Sequence, residues 1–182
     1  MTSQTDAVDS AAPCAPAPAP EEPELPQFLT CHIGAEMIAM RIEQLRGIVE
    51  FRGLTEVPMT PDFFRGVFNL RGSVIPVIDL AQRLGRGPTP VMRRACIVVV
   101  ELAADTGMMS VGVLVAGART VIAAALSPVE VLPDGGMSIP VDFIEGMITV
   151  DERAVIALNM QRTLAPDDLA LLIGGGLGPV NT

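Results

Sequence analysis

Four places in this 182-residue chain carry side chains whose type and spacing could do chemistry. Cys31 and His32 are adjacent, and His32 is the only histidine. A thiol nucleophile would need that imidazole as its base, oriented by a third group. A lone histidine in a strand is more commonly a half-buried, hydrogen-bonded side chain. The acid pairs Asp151-Glu152 and Asp167-Asp168 fall in a turn and near a chain end, where solvated charge is the simpler reading. A metal site wants several His, Cys, Asp or Glu converging. The three cysteines (Cys14, Cys31 and Cys96) are scattered without Cys-x-x-Cys spacing, so neither a zinc site nor a disulfide framework follows from them. The glycine run Gly174-Gly175-Gly176-Leu177-Gly178 has no following lysine and no preceding strand, which makes it a poor phosphate loop. That leaves Pro61 to Leu80, where Arg65 and Arg71 are each followed by glycine. The Arg71 fork could brace a strand junction by holding carbonyls, or offer itself to a partner's carboxylate. No catalytic residue, metal or cofactor is called for, and the expectation is a chain without an active site.

Composition narrows the class further. Twelve cations, all arginine, face 21 acids for a formal charge of −9. Without a basic stretch, nucleic acid is a poor partner, because that affinity rests on neutralised phosphates. Aromatic residues are 3%, too few for base-stacking platforms, while 49% hydrophobic residues suffice for an aliphatic core. The longest apolar run, Ala95 to Val100, is far shorter than the roughly 20 residues a membrane span requires. The first residues have neither the charged nor the apolar part of a secretory signal. A reduced, cytoplasmic protein is the resulting expectation.

The elements that must position these residues are short strands. Phe28–Ile33 and Met37–Ile42 flank a glycine-containing connection and read as a hairpin. Leu45–Phe51 follows, then Pro58 and Pro61 forbid a central strand. Gly66–Leu70, Ser73–Leu80, Cys96–Leu102, Met108–Val115, Arg119–Ala125, Glu145–Val150 and Ala154–Leu158 complete the set, with a helical turn at Asp79 to Leu84. Met160–Leu172 reads as a helix that Pro166 breaks or restarts. Residues 1–26 carry six of the sixteen prolines and read as a flexible leader, and the glycine-rich residues near 174–182 as a mobile tail. This pattern predicts an all-β barrel or paired-barrel fold with no internal sequence repeat.

Between Gly66 and Leu80 stand Gly66-Val67, Asn69-Leu70-Arg71-Gly72 and Pro76-Val77-Ile78-Asp79-Leu80. On these motifs the chain resembles the CheW family of chemotaxis coupling proteins. Phe28, Val57-Pro58, Arg94, Val111–Val115, Ile144-Glu145-Gly146 and Ala157-Leu158-Asn159 fit the same pattern in order, over roughly residues 27–165. The chain departs from it at Gly47, where the family commonly has glutamate, and at Ala116, where an acid is usual. The resemblance implies two small five-stranded, SH3-like β-barrels around a shared core, with a short C-terminal helix. It also implies an adaptor that binds the regulatory domain of a CheA-type histidine kinase and the cytoplasmic tip of chemoreceptors, in membrane-associated arrays. By alternation, Leu45, Gly47 and Val49 share one strand face that could grip a receptor helix, together with Arg71. Analogy puts the kinase contact on a surface strand of the second barrel, at Val111, Val113 and Val115. Two other readings compete: a CheW-like module in another two-component pathway serving motility or development, and a small-molecule-binding barrel using His32 and Cys31.

Overall fold

The structure is a computed structural model, and it describes residues 24–129, 139–167 and 169. Ten strands form among the described residues, and the expected all-β class holds. They are β1 (Gln27–Ile33), β2 (Glu36–Arg41), β3 (Leu45–Glu50), β4 (Phe64–Leu70), β5 (Ser73–Asp79), β6 (Cys96–Ala104), β7 (Gly107–Val115), β8 (Gly117–Ala123), β9 (Ile144–Val150) and β10 (Arg153–Leu158). Helix α1 (Leu80–Arg83) follows β5, and α2 (Met160–Leu164) follows β10. The helix expected over Met160–Leu172 is interrupted at the proline, as its sequence suggested. Ala165 takes a left-handed backbone (φ 44°), and Pro166 opens a new helical turn, where its missing N–H costs nothing. The leader through residue 23, Cys14 and the glycine run lie outside the described residues.

The strands make two five-stranded sheets, ordered β8-β1-β2-β10-β9 and β3-β6-β7-β5-β4. All pairs are antiparallel except β2 with β10 and β5 with β7. In each sheet the two edges meet. Beyond β3, Thr55 exchanges both backbone bonds with Val67 of β4 (2.9 Å each). Beyond β8, Ser127 does the same with Met147 of β9 (2.8 and 2.9 Å). Joining the edges satisfies backbone groups that an open sheet would leave to stray partners.

No internal repeat was expected from the sequence, yet the two barrels share one topology. β3-β4-β5-α1 corresponds to β8-β9-β10-α2, and the hairpin β6–β7 to β1–β2. Equivalent residues do equivalent work. The Asp79 N–H donates to the Phe63 carbonyl and the Asn159 N–H to the Phe143 carbonyl, both at 2.8 Å. Asp79 and Asn159 then cap α1 and α2 through their side chains. Gly66 and Gly146 sit where a Cβ would strike the carbonyl of Thr55 or Ser127, at 2.4 and 2.7 Å.

Each barrel has its own apolar filling. Phe28, Ala39, Ile148 and Val155 fill the first, and Ile75, Val77, Ile97, Val99 and Leu114 the second. A larger core lies between them, drawing Cys31, Met40, Ile78, Val98, Val111, Val113, Leu158 and Leu164 from both. Arg83 spans this junction. Its guanidinium lies over the rings of Phe63 (4.6 Å) and Phe143 (5.5 Å), and its Nε donates to the Thr163 carbonyl at 2.9 Å. Arg83→Ala is expected to lose about 2 kcal/mol, the sum of modest cation–π and hydrogen-bond contributions. Thermal unfolding would show this as a Tm lower by roughly 5 °C.

Candidate functional site

The segment that stood out in the sequence forms one corner of the second barrel. Leu70 pairs with Ser73, leaving Arg71-Gly72 as a two-residue loop with φ of 52° and 88°. Two positive φ values in succession are the hairpin geometry that follows the right-handed twist of the strands. Asn69 holds the turn, its Oδ1 accepting from the Gly72 N–H at 2.8 Å. Arg71 is exposed and makes no hydrogen bond or ion pair among the described residues. Of the two roles weighed for its fork, bracing therefore goes to Asn69. The guanidinium stands in solvent, where a partner can reach it.

Beside the turn runs a groove of about 490 Å³. Val49 and Glu50 of β3 form one wall, and Phe68, Asn69 and Leu70 of β4 the other. Val49 and the Arg71 turn are thus brought together. Gly47 leaves open space, since a Cβ there would meet nothing within 4 Å. The shared face expected for Leu45, Gly47 and Val49 is corrected, because the register slips by one residue between Leu45 and Gly47. Leu45 is half-buried against the inter-barrel core and Val49, on the opposite face, against the barrel filling. The outward residues are Arg46, Ile48 and Glu50, with Ile48 48% exposed. Arg46 is paired across the sheet with Glu101 and Glu50 with Arg52, which leaves Ile48 as the apolar point of that face.

The kinase-facing expectation for β7 is corrected. Val111, Val113 and Val115 are fully buried and face the core between the barrels. The other face of β7 is closed too: Leu114 is buried in the barrel filling, and a Cβ on Gly112 would lie 2.8 Å from Ile97. β7 is the central strand of its sheet, bonded to β6 and β5, and it shares that barrel with β3. The two expected sites therefore lie on one barrel, and from Val111 to Val115 β7 offers no side-chain surface.

The thiol–imidazole reading fails on geometry. Cys31 points into the shared core with no exposure, and its strand neighbour His32 turns the opposite way. Burial, with Cys96 close by, pushes the Cys31 thiol up to about 12, so it stays protonated and is no nucleophile. No group of three metal-ligating side chains converges among the described residues. Asp151 and Glu152 form the exposed β9–β10 turn, and Asp167 accepts from the Asp105 N–H at 2.9 Å.

The sequence placed Asp79 at the start of a helical turn but gave its side chain no role. This fully buried carboxylate accepts from the Gln82 N–H (3.2 Å) as helix cap. It also accepts from the Thr89 N–H (2.7 Å) and hydroxyl (2.5 Å), with Arg65 at 3.9 Å. It ties β5, α1 and the following loop into one unit. The signal was available, because an acid between a strand and a helical turn is a capping pattern.

Paired barrels with a solvated arginine turn beside an apolar groove define a protein-interaction module. The chain belongs to the family of the CheW-like domain, whose model matches residues 27–167. It is 25% identical to chemotaxis protein CheW of Klebsiella aerogenes over 80% of this chain and 86% of the relative. It is 27% identical to a probable chemotaxis protein CheW of Rhizobium etli over 74% and 84%. Among solved structures, the scaffolding protein TtCheW of Thermoanaerobacter tengcongensis superposes with a TM-score of 0.67 at 26% identity, covering 78% of this chain and 89% of that one.

Proposed function

We propose that this chain is a non-catalytic coupling scaffold of chemotaxis, joining the cytoplasmic tip of a chemoreceptor to the regulatory domain of a CheA-type histidine kinase. The observation that carries the reading is family membership across nearly the whole paired-barrel fold. The receptor contact falls on the second barrel, at the Val49 groove, open Gly47, outward Ile48 and the Arg71 turn. Leu45 supports that strand from beneath. A helical receptor tip brings apolar side chains to the groove and carboxylates to the free guanidinium. The chain would work in the cytoplasm, recruited to receptor arrays, and no described helix is long and apolar enough to cross a membrane.

Signal transfer in such a scaffold is a shift in contact populations. A standard interface of about 1,600 Å² can be only micromolar, and an array gains its strength from many linked contacts. Ile48→Asp combined with Arg71→Glu is expected to leave the melting curve in place, because both side chains are solvent-facing. Co-sedimentation with receptor-bearing membranes and kinase should fall at least about tenfold, the weight of a small apolar and charged hot spot. Undiminished co-sedimentation by a folded variant would remove this corner from the site. Leu45→Asp should instead lower Tm, since its side chain packs against the core.

A further inference from the structure

A second concavity lies on the first barrel, remote in the fold from the β3 corner. It has a volume of about 660 Å³, within the roughly 300–1,000 Å³ usual for small-molecule sites. Arg86, Arg119 and Arg153 line it, together with His32. Arg86 is taken up by Glu36 at 2.5 Å. Arg119 and Arg153 have no acidic partner within salt-bridge distance among the described residues, although the chain carries an excess of acids. The one other carboxylate on the wall, Asp151, makes no ion pair there. Arg119 reaches the His32 Nε2 at 3.3 Å. A guanidinium can only donate, so the ring nitrogen is the acceptor in this contact. Met37, Val155 and Ile156 supply an apolar wall beside the cations.

We propose that this pocket binds a small organic anion, with a phosphate or carboxylate held between Arg119 and Arg153 and an apolar body against Met37 and Ile156. Planar guanidinium forks match both anionic groups bidentately, and both arginines are solvent-exposed and open to an incoming anion. Concavity and volume favour a small molecule over a flat macromolecular contact.

The test is titration of the full chain with phenyl phosphate, followed by ¹H–¹⁵N spectra at His32, Arg119 and Arg153. Parallel arms use benzoate, inorganic phosphate and benzyl alcohol. Saturable shifts are expected with phenyl phosphate or benzoate, weaker ones with inorganic phosphate, and none with benzyl alcohol. The stronger of the first two assigns the anionic group. Arg119→Gln and Arg153→Gln should each weaken binding about tenfold, as loss of a charge-assisted pair does, while Arg71→Gln leaves it unchanged. Shifts that do not saturate, that persist in the double variant, or that benzyl alcohol reproduces would overturn the proposal. So would a pocket that answers only to an acidic peptide while both aromatic anions stay silent.

Discussion

A Gly66→Val variant is expected to lose at least about 4 kcal/mol of stability, the range reserved for strain combined with overpacking. Gly66 has φ 135°, a conformation that side-chain-bearing residues rarely adopt. A Cβ there would lie 2.4 Å from the Thr55 carbonyl oxygen, and that oxygen accepts the Val67 N–H that joins the barrel's edges. Relief of the clash therefore requires the joining bridge to open. Urea unfolding by circular dichroism should show a much lower midpoint or no folded baseline. Gly146→Ala should move the same way by less, because its backbone is ordinary and only the Ser127 carbonyl (2.7 Å) and Leu126 (2.8 Å) crowd it. Gly47→Ala, facing open space, should leave the midpoint unchanged. If Gly66→Val melts with the wild type, the Thr55–Val67 bridge does not hold the barrel.

Alkaline pH should unfold this protein through its buried thiols. Cys31 rises from an ordinary 9.0 to about 12 in the folded state, chiefly because burial disfavours the thiolate. The folded state thus holds a proton that the unfolded chain releases. That contribution is whole below pH 9 and is lost as pH climbs through 12. Three units correspond to about 4 kcal/mol at the limit. Cys96 is raised as well, again by burial, and adds in the same direction. The chain has no lysine and no tyrosine, so thiols are the side chains that titrate in this window. Urea midpoints measured from pH 8 to pH 11 should fall steeply for the wild type and much less for Cys31→Ala. Equal slopes in the two proteins would take the buried thiol out of the explanation.

Much of this architecture was readable beforehand, for identifiable reasons. Strands such as Cys96–Ala104 declare themselves by unbroken β-branched residues, and Pro58 and Pro61 mark where no strand can pair. The twofold topology was not readable. The two halves share little beyond Phe63 with Phe143, Gly66 with Gly146 and Asp79 with Asn159. Moreover, the hairpin that completes one copy precedes the other described strands. At the candidate site, the Asn69–Gly72 turn was legible because its residue types demand it. The bulge in β3 was not, since strict alternation keeps Leu45 and Val49 on one face and the extra residue between Leu45 and Gly47 moves them to opposite ones. For β7 the signal was present and pointed the other way. A run of Val, Gly, Val, Leu and Val without a polar break belongs to a strand covered on both sides, as the burial of Val111–Val115 shows.

The pairing of β1 with β8 and of β2 with β10 sets an order of events during synthesis. All five strands of one barrel, β3 to β7, leave the ribosome in succession and can mature at once. The N-terminal hairpin is made first yet finds its neighbours last, with Phe28, Leu29 and Ile38 uncovered until β8 to β10 arrive. The nascent chain is therefore most vulnerable to chaperone capture and self-association through that waiting hairpin.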